Sequence, residues 1–449
     1  MVRRAWCGVQ DRYGRLGDGI DAKEPEPFSY DRDYVVLLSD WTDENPTRVL
    51  AKLKKQSDYY NQHKRTVGDF IDDVSEMGWS AAVADRKMWA EMKMSPTDLA
   101  DVSGYTYTYL MNGQAPDGNW TGIFKPGEKI RLRFINASAM TYFDVRIPGL
   151  KMTVVAADGL HVKPVSVDEF RIAVAETYDV IIEPDSEQAY TVFAQSMDRT
   201  GYARGTLAVQ EGLSAPVPSP DPRPLIAMGD MGMDHGSMGG MDHGNMAGMD
   251  HGSMEGMDHG SMQGGMAGMA GMAGAMQAHP ASETNNPLVD MQTMTPTHKL
   301  DDPGIGLRDN GRRVLTYSDL RSTFLDPDGR EPSRTIELHL TGHMEKFSWS
   351  FDGIKFSDAE PLRLKYGERV RITLVNDTMM THPIHLHGMW SDLEDANGNF
   401  LVRKHTIDMP PGSKRSYRVT ADALGRWAYH CHLLLHMEMG MFREVRVDE

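Results

Sequence analysis

From Tyr34 to Gln210, short runs of apolar residues alternate with turn-forming Gly, Pro, Asn and Asp, the pattern of antiparallel strands with one buried face. The clearest runs are residues 34–40, 129–136, 178–183 and 190–194. In the second of these, side chains two apart share a face, so Ile130, Leu132 and Phe134 are expected to enter one core. Thr47 to about Asp101 has few β signals and reads as a helical insertion, with Met88 and Met92 on one helix face. Packing of Met88, Trp89 and Met92 on the sheet accounts for that face more simply than metal binding does. A second β block is expected from near Val314 to the end, through residues 335–340, 369–375 and 425–430. The pattern predicts an all-β fold of two β-sandwiches, the first carrying the helical insertion.

Between the blocks, the proline-rich residues 216–224 lead into a low-complexity tract that runs to about Met276. The unit Met-Asp-His-Gly-x-Met begins at Met233, Met241, Met249 and Met257, a strict eight-residue period, and methionine is the compositional outlier with 33 residues. Glycine in every unit, without β-branched or aromatic residues, cannot supply a core that offsets chain entropy, so the tract is expected to be disordered without metal. A plain linker needs glycine and serine, but not methionine and histidine at a fixed period. Thioethers favour Cu(I), and imidazole accepts either copper state. Met233, His235, Met238, Met241, His243, Met246, Met249, His251, Met254, Met257, His259 and Met262 are therefore candidate auxiliary copper ligands, and Ag(I) is expected to bind them too.

Forty-seven basic against sixty-four acidic side chains give a net charge of −17, which disfavours nucleic acid and anionic lipid as partners and attracts cations. The two cysteines are Cys7 and Cys431, and the second lies among histidines where a thiolate ligand is expected, so no disulfide framework is expected. No apolar run has the length of a membrane span, and residues 1–19 lack the apolar core of a secretory signal. The expectation is a missing export signal or a cytoplasmic chain.

The strongest chemical signal is His430-Cys431-His432 followed by His436 and Met441. Two histidines, a cysteine and a weak axial methionine define a blue-copper (type 1) site, because thiolate and imidazole together hold both Cu(I) and Cu(II). Cys431, His436 and Met441 supply three ligands, and His382, from a separate strand end in His382-Pro-Ile-His385-Leu-His387, is expected to supply the fourth. Strand alternation turns His430 and His432 away from Cys431. His385 and His387 likewise share a face and could complete half of a second copper site. His63, His161, His339 and His343 read as satisfied core or surface residues. The acidic residues 392–395, with Met437, Glu438 and Met439, either receive a cation near the copper or form a solvated rim and local packing; the sequence leaves both open.

These two clusters resemble the third and fourth copper motifs of the multicopper oxidases, which are built from cupredoxin β-sandwiches. The Met-Asp-His-Gly repeats and Asp40-Trp41-Thr-Asp-Glu-Asn-Pro46 resemble the copper-resistance (CopA/PcoA) branch, which is periplasmic. The resemblance covers about Glu24 to Glu449. It implies an atypical segment 1–23, a cupredoxin-like domain 24–212 with its insertion at about 47–101, a linker 213–305 and a C-terminal cupredoxin domain 306–449. It further implies His382, Cys431, His436 and Met441 as type 1 ligands and catalytic residues, His385 as a type 2 ligand, and His387, His430 and His432 as type 3 ligands. The implied chemistry is oxidation of Cu(I) or a phenol-like donor with reduction of O2 to water. The implied partners are Cu(I)/Cu(II) ions, O2 and other copper-resistance proteins.

One departure from the family pattern stands out. The oxidases carry two further motifs, His-x-His-Gly and His-x-His, and no His-x-His precedes residue 385 here. Three of six type 3 and one of two type 2 ligands are present by that count, so the type 2 and type 3 sites are expected to be half-complete and the chain to be a truncated one. Residues 8–14 are the expected remnant of the Gly-rich passage after the second motif. The alternative function is a copper-sequestering, electron-transfer protein that does not reduce O2. A copper nitrite reductase fits less well, since its blue-copper ligands follow another motif plan.

Overall fold

The structure, a computed structural model, describes residues 26–233 and 276–449. The first half runs β1 (Arg32–Trp41), α1 (Pro46–Lys55), α2 (Val67–Met77), α3 (Trp79–Glu91), β2 (Thr108–Met111), β3 (Trp120–Ile123) and β4 (Ile130–Asn136). It continues through β5 (Phe143–Arg146), β6 (Met152–Ala157), β7 (Leu160–Val167), β8 (Glu169–Ile172), β9 (Thr177–Ile182), β10 (Tyr190–Ser196) and β11 (Tyr202–Ala208). The second half begins with β12 (Arg334–His343), β13 (Ser348–Phe351), β14 (Leu362–Lys365), β15 (Arg369–Asn376), β16 (His382–Leu386) and β17 (Ser391–Glu394). It ends with β18 (Phe400–Lys404), β19 (Thr406–Met409), β20 (Lys414–Thr420), β21 (Gly425–Cys431), α4 (Leu434–Glu438) and β22 (Phe442–Asp448).

Each half is a sandwich of a six-stranded and a five-stranded sheet. The orders are β2-β1-β4-β9-β6-β7 over β3-β11-β10-β5-β8, and β13-β12-β15-β20-β17-β18 over β14-β22-β21-β16-β19. Adding eleven to every strand number converts the first pair into the second, so the two halves share one cupredoxin-like topology. The alternation works as expected in β4, where Ile130, Leu132 and Phe134 are fully buried. Arg131, on the opposite face, is buried as well, held by Asp179 and Glu26.

The helices α1 to α3 occupy the connection from β1 to β2, and Trp89 is buried while Met88 and Met92 pack part-buried against the core, consistent with a packing role. Residues near Val314 depart from expectation. The second half's first strand is β12, at Arg334, and residues 313–323 instead hydrogen-bond along the first sandwich, Leu315 N to Glu169 O and Lys163 N to Arg321 O. Apolar residues there satisfy a neighbouring sheet edge instead of starting a new one. The repeat unit beginning at Met233 lies outside the described residues except for Met233 itself, which packs part-buried. The ligands expected from His235 to Met262, and the expected disorder of the tract, lie outside them too, as do Cys7 and residues 8–14. On either side of the tract the chain is packed, with Ile226, Met228, Met231, Met291 and Leu300 buried. Met294 N donates to Gly232 O and Gln277 N to Met294 O, so the segments leaving and re-entering the fold are tied to one residue.

Buried polar contacts lock the halves together. Lys404 is fully buried with its Nζ 3.0 Å from Asp158 and 3.2 Å from Glu176, and Tyr142 Oη donates to Asp408 at 2.8 Å. Asp408 also accepts from Thr381 Oγ1 at 2.8 Å, next to His382 in the chain. No helix among the described residues is long and apolar enough to cross a membrane.

Candidate metal centre

His382 opens β16, Cys431 closes the neighbouring β21, and α4 folds the chain back beneath them so that His436 returns to the same point. Nδ1 of His382 and Nδ1 of His436 lie 3.6 and 3.9 Å from Cys431 Sγ and 3.1 Å from each other. All three side chains are fully buried. Each imidazole is anchored through its other nitrogen, His382 Nε2 to Thr378 Oγ1 at 2.7 Å and His436 Nε2 to Asp101 Oδ2 at 2.8 Å. Outer partners of this kind fix ring orientation and leave the inner lone pair for a metal. Trp349 stacks on His436 with ring centroids 3.9 Å apart and meets His382 edge-on.

Met441 is also fully buried and is drawn in by the backbone: its N–H donates to His436 O and its carbonyl accepts from Cys431 N–H. Gly440 makes this approach feasible. Its φ is +121°, and a Cβ there would sit 2.6 Å from the Trp349 carbonyl. Burial pushes the Cys431 thiol pKa up, and burial together with His436 pushes the His382 imidazole pKa well down. Without metal, therefore, the sulfur keeps its proton and His382 is neutral.

On the opposite face of the same strands lie His385, His387, His430 and His432. His387 Nε2 and His430 Nε2 are 3.1 Å apart, and the His385 ring lies 4.6 Å from His387 and 5.9 Å from both His430 and His432. Strand alternation separates this cluster from Cys431 as expected. Burial, then His405, pushes His385 down to about 3, and burial pushes His430 to about 4, so both are neutral at pH 7. His387 is exposed, His385 and His432 are half-buried and His430 is buried, with Nδ1 of His432 lacking any hydrogen-bond partner. A groove lined by Trp41, Ala139, Ala175, His405 and His432 opens beside them.

The first sandwich shows what the site requires. Its segment Asn136 to Phe143 matches Asn376 to Pro383 in spacing, and both asparagines brace the corner by donating to two backbone carbonyls. Tyr142 stands there in the place of His382, and Gln195, opposite Asp144 as Cys431 is opposite Ile384, stands in the place of the thiol. One scaffold thus carries the soft donor set in one half and a hydrogen-bonded polar set in the other.

Other histidines are satisfied by neighbours: His63 by Tyr105, His161 by Glu26 and His343 by Asp290. Asp392 and Glu394 are buried in ion pairs with Arg403, Arg371 and Arg418, so they hold the sheet and are not available to a cation. The residue that sequence reasoning missed is Asp101. It follows α3, at the end of the helical insertion, and reaches His436 from 335 positions away, and no local motif marks it.

A buried pair of imidazole nitrogens and a cysteine sulfur on a cupredoxin-like sandwich is the donor set of a copper-protein class. Residues 32–212 and 329–449 match two family models, both described as multicopper oxidase, and the chain belongs to that oxidoreductase family, whose cofactor is copper. Within it the chain belongs to the copper-resistance group. It is 75% identical over 446 residues to the copper resistance protein A homolog of Pseudomonas syringae pv. tomato, covering 98% of this chain and 75% of that protein. It is 74% identical over 461 residues to copper resistance protein A of Escherichia coli, covering 98% and 76%. Among solved structures, Fet3p, a multicopper oxidase that functions in iron import, superposes with a TM-score of 0.56 at 14% identity, covering 95% of this chain and 68% of that one.

Proposed function

We propose that the chain oxidises Cu(I), or a phenol-like donor, at a type 1 copper that His382, Cys431, His436 and Met441 would hold. His385 would serve a type 2 copper, and His387, His430 and His432 type 3 coppers. When bound, copper in such sites accepts single electrons from the donor and passes them to O2, which is reduced to water. The observation that carries this reading is the convergence of two imidazole Nδ1 atoms and one Sγ in a fully buried pocket whose outer contacts are already made.

The chain's own residues supply the route and the dry surroundings. Cys431 lies between His430 and His432 in sequence, so the sulfur on one face and the imidazoles on the other are joined by one peptide unit in each direction. Thr378, Asp101 and Trp349 hold the rings still, which limits reorganisation when the ion changes charge. Copper-resistance partners and a periplasmic location belong to the same proposal and rest on the resemblance to the copper-resistance group.

A second reading, copper sequestration and electron transfer without O2 reduction, is favoured by one observation: His385, His387, His430 and His432 cluster on one face, half the number of histidines that a trinuclear cluster uses. Metal analysis joined to electron paramagnetic resonance separates the two. One type 1 copper with no coupled type 3 pair supports sequestration, and three further coppers with the type 3 absorbance support the oxidase. A colourless, copper-loaded protein with an ordinary type 2 spectrum rejects the type 1 assignment in both.

A further inference from the structure

A second cluster of metal-ligating side chains lies away from both histidine faces, where the Met/His tract re-enters the fold. His279 and Glu283 come from the re-entering segment, His339 from β12, and Asp377 from the turn after β15. One ligand atom from each lies within 4.8 Å of all the others. Asp377 Oδ2 is 2.6 Å from His339 Nδ1 and 3.2 Å from His279 Nδ1, while Glu283 lies 3.3 Å from His279 Nδ1 and 3.7 Å from His339 Nδ1.

Each residue makes one outward contact and leaves one atom facing inward. His279 Nε2 is 3.0 Å from the Thr293 carbonyl, which can only accept, so in the neutral ring the proton sits on Nε2 and the Nδ1 lone pair faces the centre. His339 Nε2 is similarly placed 3.3 Å from Glu337 Oε1. Asp377 Oδ1 accepts from Thr293 N, and Glu283 Oε2 accepts from Gln292 Nε2. What remains inside includes Glu283 Oε1 and His279 Nδ1, both buried and neither in hydrogen-bond geometry with any group. Glu283 is 3% exposed, and Asp377 is fully buried.

Two buried carboxylates side by side need positive charge between them. Protons could meet that need, but a divalent ion meets it with one particle and uses both inward lone pairs. Two imidazoles and two carboxylates, with no sulfur, suit a borderline divalent ion and not Cu(I), and among such ions a nitrogen–oxygen site binds Cu(II) more tightly than Zn(II).

We infer that His279, Glu283, His339 and Asp377 form a binding site for a divalent transition-metal ion, with Cu(II) preferred, at the foot of the Met/His tract. The site is independent of the type 1 assignment. It complements the sulfur-rich repeats in ligand chemistry, and it borders the blue-copper pocket through Thr378, the residue after Asp377, whose hydroxyl meets His382.

The test uses the full chain, stripped of metal with a chelator, reloaded with Cu(II) and desalted. Copper per chain is measured by mass spectrometry and the sites by pulsed electron paramagnetic resonance. H279A, at the half-buried rim, and the near-isosteric E283Q are each expected to lose one Cu(II) per chain, together with a signal coupled to two imidazoles, while the blue absorption is retained. Wild-type spectra give a readout that needs no variant: no two-imidazole, non-blue Cu(II) component at full loading overturns the proposal. So does unchanged copper stoichiometry in both variants, which would identify the quartet as a metal-free network of imidazolium and carboxylate ions.

Discussion

Asp101 offers the sharpest check on how the first site is built. Its Oδ2 accepts from His436 Nε2 at 2.8 Å, and both side chains are excluded from water, at 2% and 0% exposure, so solvent cannot replace the contact. Asp101→Ala leaves a buried imidazole N–H without an acceptor, a loss of about 1–3 kcal/mol. An independent route gives a similar size: removal of an outer partner typically lowers metal affinity about 10- to 100-fold, which is about 1.4–2.8 kcal/mol at about 1.4 kcal/mol per decade. The Trp349 ring still stacks on His436 and holds its position. The orientation is loosened more than the location, so the expected loss lies in the lower part of that range, about 10- to 30-fold. Asp101→Asn keeps an oxygen that can accept and is expected to lose less. The assay is copper competition against a chelator of known affinity, read by the blue absorption, with near-ultraviolet dichroism to verify folding. Equal affinity in wild type and a folded Asp101→Ala, within twofold, would show that His436 is oriented by something other than Asp101.

Cys431→Ser is expected to abolish the blue colour, because Cys431 is the sulfur that converges with His382 and His436; a blue variant would reject the assignment. Since burial holds the Cys431 thiol pKa above its ordinary value, copper binding must release that proton. The apparent affinity should therefore rise by about tenfold per pH unit below the thiol pKa and flatten above it, and a pH-independent affinity near neutrality would contradict this. Deleting residues 234–275, which spares Gly232 and its contact with Met294, should keep the blue site and lower the number of Cu(I) or Ag(I) ions bound; unchanged stoichiometry makes the tract a plain linker. Lys404→Met strands Asp158 and Glu176 in the interface between the halves, with an expected loss of about 3–5 kcal/mol in denaturant unfolding, and a loss below about 1 kcal/mol would contradict the ion-pair account. Oxygen consumption by the purified, copper-loaded chain separates the two readings: turnover with a Cu(I) donor is expected of the oxidase, and consumption at background with an intact blue site supports sequestration.

Strand alternation and local spacing were enough to find β4 with its buried Ile130, Leu132 and Phe134, and to separate Cys431 from His430 and His432. Both follow from period-two geometry within one strand, which needs no knowledge of neighbours. The nearness of His382 to Cys431 was legible only through the donor set that a blue-copper site requires, because it depends on β16 pairing with β21. Sheet pairing also decided that Asp392 and Glu394 meet arginines, and that residues 313–323 join the first sandwich. Asp101 on His436, and the meeting of His279 and Glu283 with His339 and Asp377, join segments tens to hundreds of positions apart. No sequence period encodes such contacts, since they exist only after the sheets have stacked and the halves have closed. The sequence by itself thus determined which residues of the His, Cys and Met motifs could bind copper and which strands would carry them. The tertiary structure decided which of them meet and what holds each imidazole in place, because a ligand set is defined by distances across the core and not along the chain.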